Sequence, residues 1–135
     1  MRYLKKHPLL LLTLICVAIF MTHLDALWVN VMEARNFVTA REMLLDSNWL
    51  LTTLNGEPRY QKPPLPTWLS AVSAFLFGIK SVFAMRLPAA LVSVTMVLIT
   101  YIFTKKLTNN NTYAFISSLI LATSFFIVFS GRNGQ

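Results

Sequence analysis

The fold is decided by Leu87-Pro-Ala-Ala-Leu-Val-Ser-Val-Thr-Met-Val-Leu-Ile-Thr-Tyr-Ile-Phe-Thr104, followed by Lys105-Lys106 and a second uncharged run, Leu107–Gly131. Each run approaches or exceeds the ~20 residues with which a helix crosses a hydrocarbon core of ~30 Å. Towards the N-terminus a third apolar run, Pro8 to about Trp28, follows the basic head Arg2, Lys5 and Lys6. Composition agrees: 56% of the 135 residues are hydrophobic, only 13% are charged, and the mean hydropathy is +0.59. A soluble domain carries about 25% charged residues. These values exclude a soluble globular domain and a disordered chain, and they predict an all-α integral membrane protein.

The formal net charge of +7 and the pI near 10.0 suggest nucleic acid only as totals. The basic excess lies mostly at the ends of apolar segments, as the positive-inside rule expects, so no nucleic-acid partner is predicted. The single cysteine, Cys16, excludes a disulfide framework, and His7 and His23 have no zinc-site spacing. The first run resembles a signal peptide in its basic head, but no small-x-small cleavage site follows it, so an uncleaved span with a cytoplasmic N-terminus is expected. Leu65–Ile79 is short for a crossing, at about 22 Å for ~1.5 Å per residue. If it also crossed, Lys105-Lys106 would lie on the outer side, against the charge rule. The expected layout is therefore a first span in 1–28, an outer loop in 29–86 with juxtamembrane helices, a second span in 87–104 and a third in 107–131.

Within the loop, the periodicity predicts an amphipathic helix over Met32–Asp46. Ala34, Phe37, Val38, Leu44 and Leu45 gather on one face, and Arg35, Asn36, Thr39, Glu42 and Asp46 on the other. Arg41 falls near the middle of the apolar face and Glu33 at its edge. Such charges near lipid are either functional or structural. The structural alternative is that Arg41 snorkels to headgroups and Glu33 pairs with Arg41 or Arg35. Asn55-Gly56 predicts a turn, because both residues tolerate positive φ. Pro58, Pro63, Pro64 and Pro66 hold the next stretch out of helix until the Trp68 helix begins. Arg59-Tyr60-Gln61-Lys62-Pro63-Pro64 thus offers two cations, an aromatic and an amide on a stiff segment beside the membrane. Arg supplies a bidentate fork for phosphate and Lys a point charge, so an anionic lipid headgroup is a candidate ligand. Arg86 and Arg132 flank apolar runs and are either anchors or substrate-facing cations. No Gly-rich phosphate loop and no serine triad are present, and Asn109 to Thr112 reads as a turn.

Five pieces in one order carry a family resemblance: Met32-Glu-Ala-Arg-Asn-Phe-Val-Thr-Ala-Arg-Glu-Met43, Asn48-Trp49, Leu54-Asn-Gly-Glu-Pro-Arg-Tyr-Gln-Lys-Pro-Pro-Leu65, Trp68, and Arg86-Leu-Pro88. From about Trp28 onward the chain resembles the N-terminal part of glycosyltransferase family 39, which includes the bacterial lipid A aminoarabinose transferase and the protein O-mannosyltransferases. The resemblance implies a GT-C-like multi-span helical bundle in the cell inner membrane. It also implies an enzyme that moves a sugar from a polyprenyl-phosphate donor to a glycolipid or protein acceptor on the outer side. Lipopolysaccharide or protein glycosylation is the implied process, with membrane lipid as a further partner. Glu33 matches the acid of the family's Asp-Glu pair, and Lys62 the lysine of its Lys-Pro-Pro segment. Met32 stands where the family usually has the aspartate and Gln61 where it often has glutamate, which leaves a bound divalent cation unsupported and no cofactor expected.

By this resemblance Glu33 is the expected catalytic residue, orienting or deprotonating the acceptor. Lys62, Arg59, Tyr60, Gln61, Arg86, Arg41 and Arg132 are the expected substrate-binding residues, with Lys62 neutralising the departing phosphate. Ser130-Gly-Arg-Asn-Gly-Gln135 stops where the family's next Arg/Asp motif would start. The sequence is therefore expected to be an N-terminal fragment, inactive by itself. The alternative expectation is a small non-catalytic membrane protein that binds polyprenyl lipid or docks to other membrane helices.

Overall fold

Two asparagines and one serine set the start of three helices. In the computed structural model, which describes residues 7–26, 28–60 and 62–133, the Asn30 side chain accepts the Glu33 amide at 2.9 Å. Ser81 accepts the Ala84 amide at 3.3 Å and Asn110 the Thr112 amide at 2.8 Å. Each bond satisfies a first-turn amide that has no helical partner, which is worth about 1 kcal/mol. The helices are α1 (Pro8–Phe20), α2 (Val31–Leu45), α3 (Leu65–Phe77), α4 (Val82–Thr108), α5 (Asn111–Thr123) and α6 (Phe125–Arg132). A hairpin of β1 (Thr53–Leu54) and β2 (Glu57–Pro58) is antiparallel, with Leu54 opposite Glu57. The basic head Arg2, Lys5 and Lys6 and the predicted site residue Gln61 lie outside the described residues. The chain forms two compact units, one of residues up to Thr22 with Ala90–Arg132, the other of His23–Ala89.

In the first unit, α1 packs on α5 and α6. Its buried positions recur at helical spacing: Leu12, Cys16 and Phe20 on α1, Ala90, Val94, Val97 and Tyr101 on α4, and Ala114, Ser118 and Ala122 on α5. Many of these are small, whereas Leu10, Leu14, Ile99, Ile102, Phe103 and Ile120 face outward. Small residues inside and large apolar ones outside is the arrangement of helices packed in lipid, where close backbone approach replaces the hydrophobic drive. The hydroxyls of Thr13, Thr95, Thr100, Ser117 and Ser118 each donate to the carbonyl four residues back, so they carry no unmet polar demand. Gly131 sits where a Cβ would lie 2.9 Å from Phe20 Cδ1 and 2.9 Å from Ser93 Cβ. Gly131→Ala is expected to destabilise this unit by about 1–3 kcal/mol, as overpacking does. A lowered Tm in detergent is the readout, and an unchanged Tm would contradict the packing described.

The helices depart from the expected spans in three places. α1 ends at Phe20 rather than near Trp28, and its 13 residues cover about 20 Å. The chain then turns, with His23 at φ 50°, and buries Leu24. α4 begins at Val82, ahead of the apolar run at Leu87, because of the Ser81 bond. At 27 residues it is, among the described residues, the one helix long and apolar enough to cross a membrane by itself. Lys105 and Lys106 lie in its last turn, where cations suit the helix dipole. The run Leu107–Gly131 is not one helix: α5 and α6 meet at 60°. The Thr123 hydroxyl reaches the Leu119 and Ile120 carbonyls, and the Ser124 amide bonds only back to Leu121. These local bonds compete with continued helix.

In the second unit, Phe37 and Ala40 of α2, Ala71 and Ala74 of α3 and Met85 of α4 form the core, with Leu44 and Val82 against it. The Ser70 hydroxyl donates to the Met85 carbonyl at 3.3 Å. The α2 helix buries Asn36 and Thr39, which its periodicity places on the polar face, while Leu45 is 71% exposed. The reason is Arg59, whose guanidinium covers that side of the helix.

Candidate functional site

Asn55 (φ 56°) and Gly56 (φ 79°) both take the left-handed conformation that a tight two-residue hairpin turn requires. Beyond the two strands the pairing continues: the Arg59 amide donates to the Thr52 carbonyl at 2.7 Å, and the Thr52 hydroxyl donates to the Arg59 carbonyl at 2.7 Å. Past this point the arms part. Leu50 and Thr52 on one side, and Arg59, Tyr60, Lys62, Pro63 and Pro64 on the other, line an open cavity of about 390 Å³. The entering arm is fixed by Trp68, whose indole Nε1 donates to the Trp49 carbonyl at 2.8 Å.

Arg59 fastens the leaving arm to α2. Its Nη1 donates to the Arg35 carbonyl at 3.1 Å and the Thr39 hydroxyl at 2.9 Å, and its Nη2 to Asn36 Oδ1 at 3.1 Å. A guanidinium has five N–H groups, so Nε and one Nη2 hydrogen have no partner among the described residues. Tyr60 is 76% exposed, and Lys62 is exposed at the cavity without an ion-pair partner among the described residues. The cavity thus offers an exposed ammonium, with Arg59 beside it and apolar Leu50 and proline walls. This suits an anionic group attached to an apolar chain.

Glu33 and Arg86 stand elsewhere in this unit and are completely buried. Arg86 Nε donates to Glu33 Oε1 at 2.6 Å, Nη2 donates to Oε2 at 2.8 Å, and Nη1 donates to the Leu24 carbonyl. One guanidinium therefore ties the turn after α1, the start of α2 and the start of α4. The Glu33 carboxylate, the expected catalytic group, thus pairs with Arg86 rather than with Arg41 or Arg35, and the early start of α4 carries Arg86, an expected substrate cation, into the interior.

Two further arginines expected to bind substrate, Arg41 and Arg132, hold backbone carbonyls. Arg41 is half-buried, and its Nε donates to the Ile79 carbonyl at 3.0 Å, just past α3. Arg132, in the first unit, donates from Nη1 to the Ile19 carbonyl and from Nη2 to the Thr22 carbonyl, each at 3.1 Å. All three bonds take up carbonyls where a helix has ended or is ending. Of the described site residues, Arg59, Tyr60 and Lys62 come together at the cavity. The sequence reading missed Thr52 and Leu50 of the opposite arm, for which Asn55-Gly56 was the available signal, since a hairpin turn sets residues at equal distances on either side of it face to face. Among the described residues, no three His, Cys, Asp or Glu side chains gather as a metal centre would require.

Residues 61–135, more than half of the chain, match the family described as dolichyl-phosphate-mannose-protein mannosyltransferase. An uncharacterized protein of Aquifex aeolicus (strain VF5) is 28% identical over 95% of this chain and 25% of its own length. The undecaprenyl phosphate-alpha-4-amino-4-deoxy-L-arabinose arabinosyl transferase 2 of Proteus mirabilis (strain HI4320) is 30% identical over 73% of this chain and 17% of its own length. The transferase of the same description from Pseudomonas savastanoi pv. phaseolicola (strain 1448A / Race 6), without the final numeral, is 28% identical over 76% of this chain and 19% of its own. The chain thus spans a quarter or less of each of these relatives. No solved structure matches it.

Proposed function

The chain belongs to the dolichyl-phosphate-mannose-protein mannosyltransferase family, and from that premise we propose that the intact protein is a membrane glycosyltransferase. It takes a sugar from a polyprenyl-phosphate donor and passes it to a glycolipid or protein acceptor on the outer side of the cytoplasmic membrane. The observation that carries this reading is the cavity at the hairpin's open end, where Lys62 and Arg59 meet an apolar wall. A phosphate joined to a prenyl chain has the matching halves. The names of the arabinosyl transferase relatives specify an undecaprenyl-phosphate donor.

In the reaction the bond between the sugar's anomeric carbon and the donor phosphate breaks, and a bond from that carbon to an acceptor oxygen forms. The phosphate leaves with the bonding electrons, and the acceptor's proton passes to a base. Lys62 stabilises the charge that grows on the phosphate, an effect worth several kcal/mol where water is excluded. Arg59 presents its two unused N–H groups to the same oxygens, and Tyr60 flanks them. Glu33 and Arg86 act at a distance, by fixing the start of α2 on which Arg59 is anchored. With labelled polyprenyl-phosphate sugar, membranes containing the intact protein are expected to transfer the label to an acceptor. Donor binding without transfer would turn the reading to a non-catalytic polyprenyl-lipid binder.

The proposed layout is a GT-C-like bundle in which the segment of α1, α4, and the bent pair α5–α6 cross the membrane. In it the N-terminus and Lys105-Lys106 are cytoplasmic and residues 29–86 lie outside. The uncharged lengths and the flanking lysines support it. Single cysteines placed at Lys80 and Lys105 are expected to react with an impermeant thiol reagent from opposite sides, Lys80 from outside and Lys105 from the cytoplasm. The reverse pattern would mean that α3 crosses as well.

A further inference from the structure

The hairpin that shapes the cavity is too small to hold itself. Its strands have two residues each, and isolated two-stranded hairpins are marginal in water. Its position must come from what it rests on, and Arg59 supplies only the anchor at the open end. A second anchor lies at the turn. Glu42, half-buried on α2, accepts the Asn55 amide on Oε1 at 2.7 Å, and the Thr53 hydroxyl on Oε2 at 2.5 Å. The Gly56 amide points at the same Oε2 from 3.5 Å. Successive amides of a left-handed turn converge on an anion in this way, and bonds to an ionised carboxylate are stronger than neutral ones.

The spacing of the two anchors fits the hairpin. Arg35, Thr39 and Glu42 lie at i, i+4 and i+7, on one face of α2, and span about 10 Å along the axis at ~1.5 Å per residue. From Arg59 back to Asn55 the strand covers about 13 Å at ~3.3 Å per residue. The leaving arm therefore lies lengthwise on the helix, pinned at the turn by Glu42 and at the cavity by Arg59. Resting on the reading that the cavity holds the donor phosphate, we propose that Glu42 is a positioning residue for it, clamping the hairpin turn to α2 so that Thr52 and the Arg59–Lys62 arm stay in place to receive it.

The test compares Glu42→Ala, Glu42→Gln, Lys62→Ala and the Glu42→Ala/Lys62→Ala double variant in the intact protein, with a polyprenyl-phosphate sugar as donor. Glu42→Ala is expected to raise the donor KM about tenfold, the scale of losing one charged hydrogen bond, and to keep kcat within about twofold. Glu42→Gln, which retains one acceptor for the Asn55 amide, should recover part of that loss. Amide hydrogen exchange should quicken over residues 52–60 in Glu42→Ala and stay unchanged in α5. The double variant should lose less than the product of the two single losses, because Glu42 acts in part through Lys62. A wild-type donor KM in Glu42→Ala, beside a lowered donor kcat/KM in Lys62→Ala, would overturn the clamp and leave the phosphate reading standing. Multiplying effects in the double variant would also overturn it, by showing that Glu42 acts somewhere else. An unchanged donor kcat/KM in Lys62→Ala would instead remove the phosphate reading and, with it, this role for Glu42.

Discussion

Arg86→Met is expected to destabilise the unit of His23–Ala89 by about 3–5 kcal/mol, because it takes the Arg86 guanidinium away from the buried Glu33 carboxylate. The Leu24 carbonyl loses its donor in the same step. Lysine cannot substitute: it has no fork for both Glu33 oxygens and could not serve Leu24 as well. Buried ion pairs are often replaceable as a unit by apolar side chains of similar volume. Glu33→Leu/Arg86→Met together should therefore recover much of the stability that either loses alone. Thermal unfolding in detergent, with limited proteolysis of residues 23–89, measures both. An Arg86→Met protein as stable as the wild type would show that the pair does not hold the unit. The same experiment separates the two views of Glu33, since a base would lose turnover in the double variant even after stability returned.

Lys62→Ala is expected to lower kcat/KM for the polyprenyl-phosphate donor about 10–100-fold, the range for removing a charged partner from an anion. Lys62→Arg should keep more activity than the alanine variant, because the charge remains on the same proline-stiffened segment. Among the described residues the exposed Lys62 side chain makes no hydrogen bond or ion pair. Its Tm should be unchanged, and this separates loss of binding from loss of structure. A donor kcat/KM within twofold of wild type would place the phosphate elsewhere.

The parts legible in the sequence are those fixed by neighbours along the chain. The α2 and α3 helices lie within two residues of their expected ends, and the Asn55-Gly56 turn lies where its two left-handed residues predict it. The uncharged run after Leu87 is helical throughout. What was not legible depends on distant partners. Glu33 and Arg86 are 53 residues apart, and neither residue type nor helical period says that they meet. The same holds for Arg59, whose grip on Asn36 and Thr39 turns an expected polar face inward. One boundary had a local signal: Ser81, a helix-capping residue type, stands just before Val82, whereas the apolar run begins at Leu87. The 60° break at Ser124 was hidden because Thr123-Ser124 sits in an otherwise apolar stretch that reads as one span.

The cavity between the hairpin arms is the proposed receptor for a polyprenyl phosphate. Its most direct test is photo-crosslinking of a polyprenyl-phosphate analogue to the intact protein, with the modified residues mapped by peptide mass. Adducts are expected within residues 50–64, suppressed by unlabelled undecaprenyl phosphate and diminished in Lys62→Ala. Adducts confined to other segments, or labelling of 50–64 that neither competitor nor variant reduces, would contradict it.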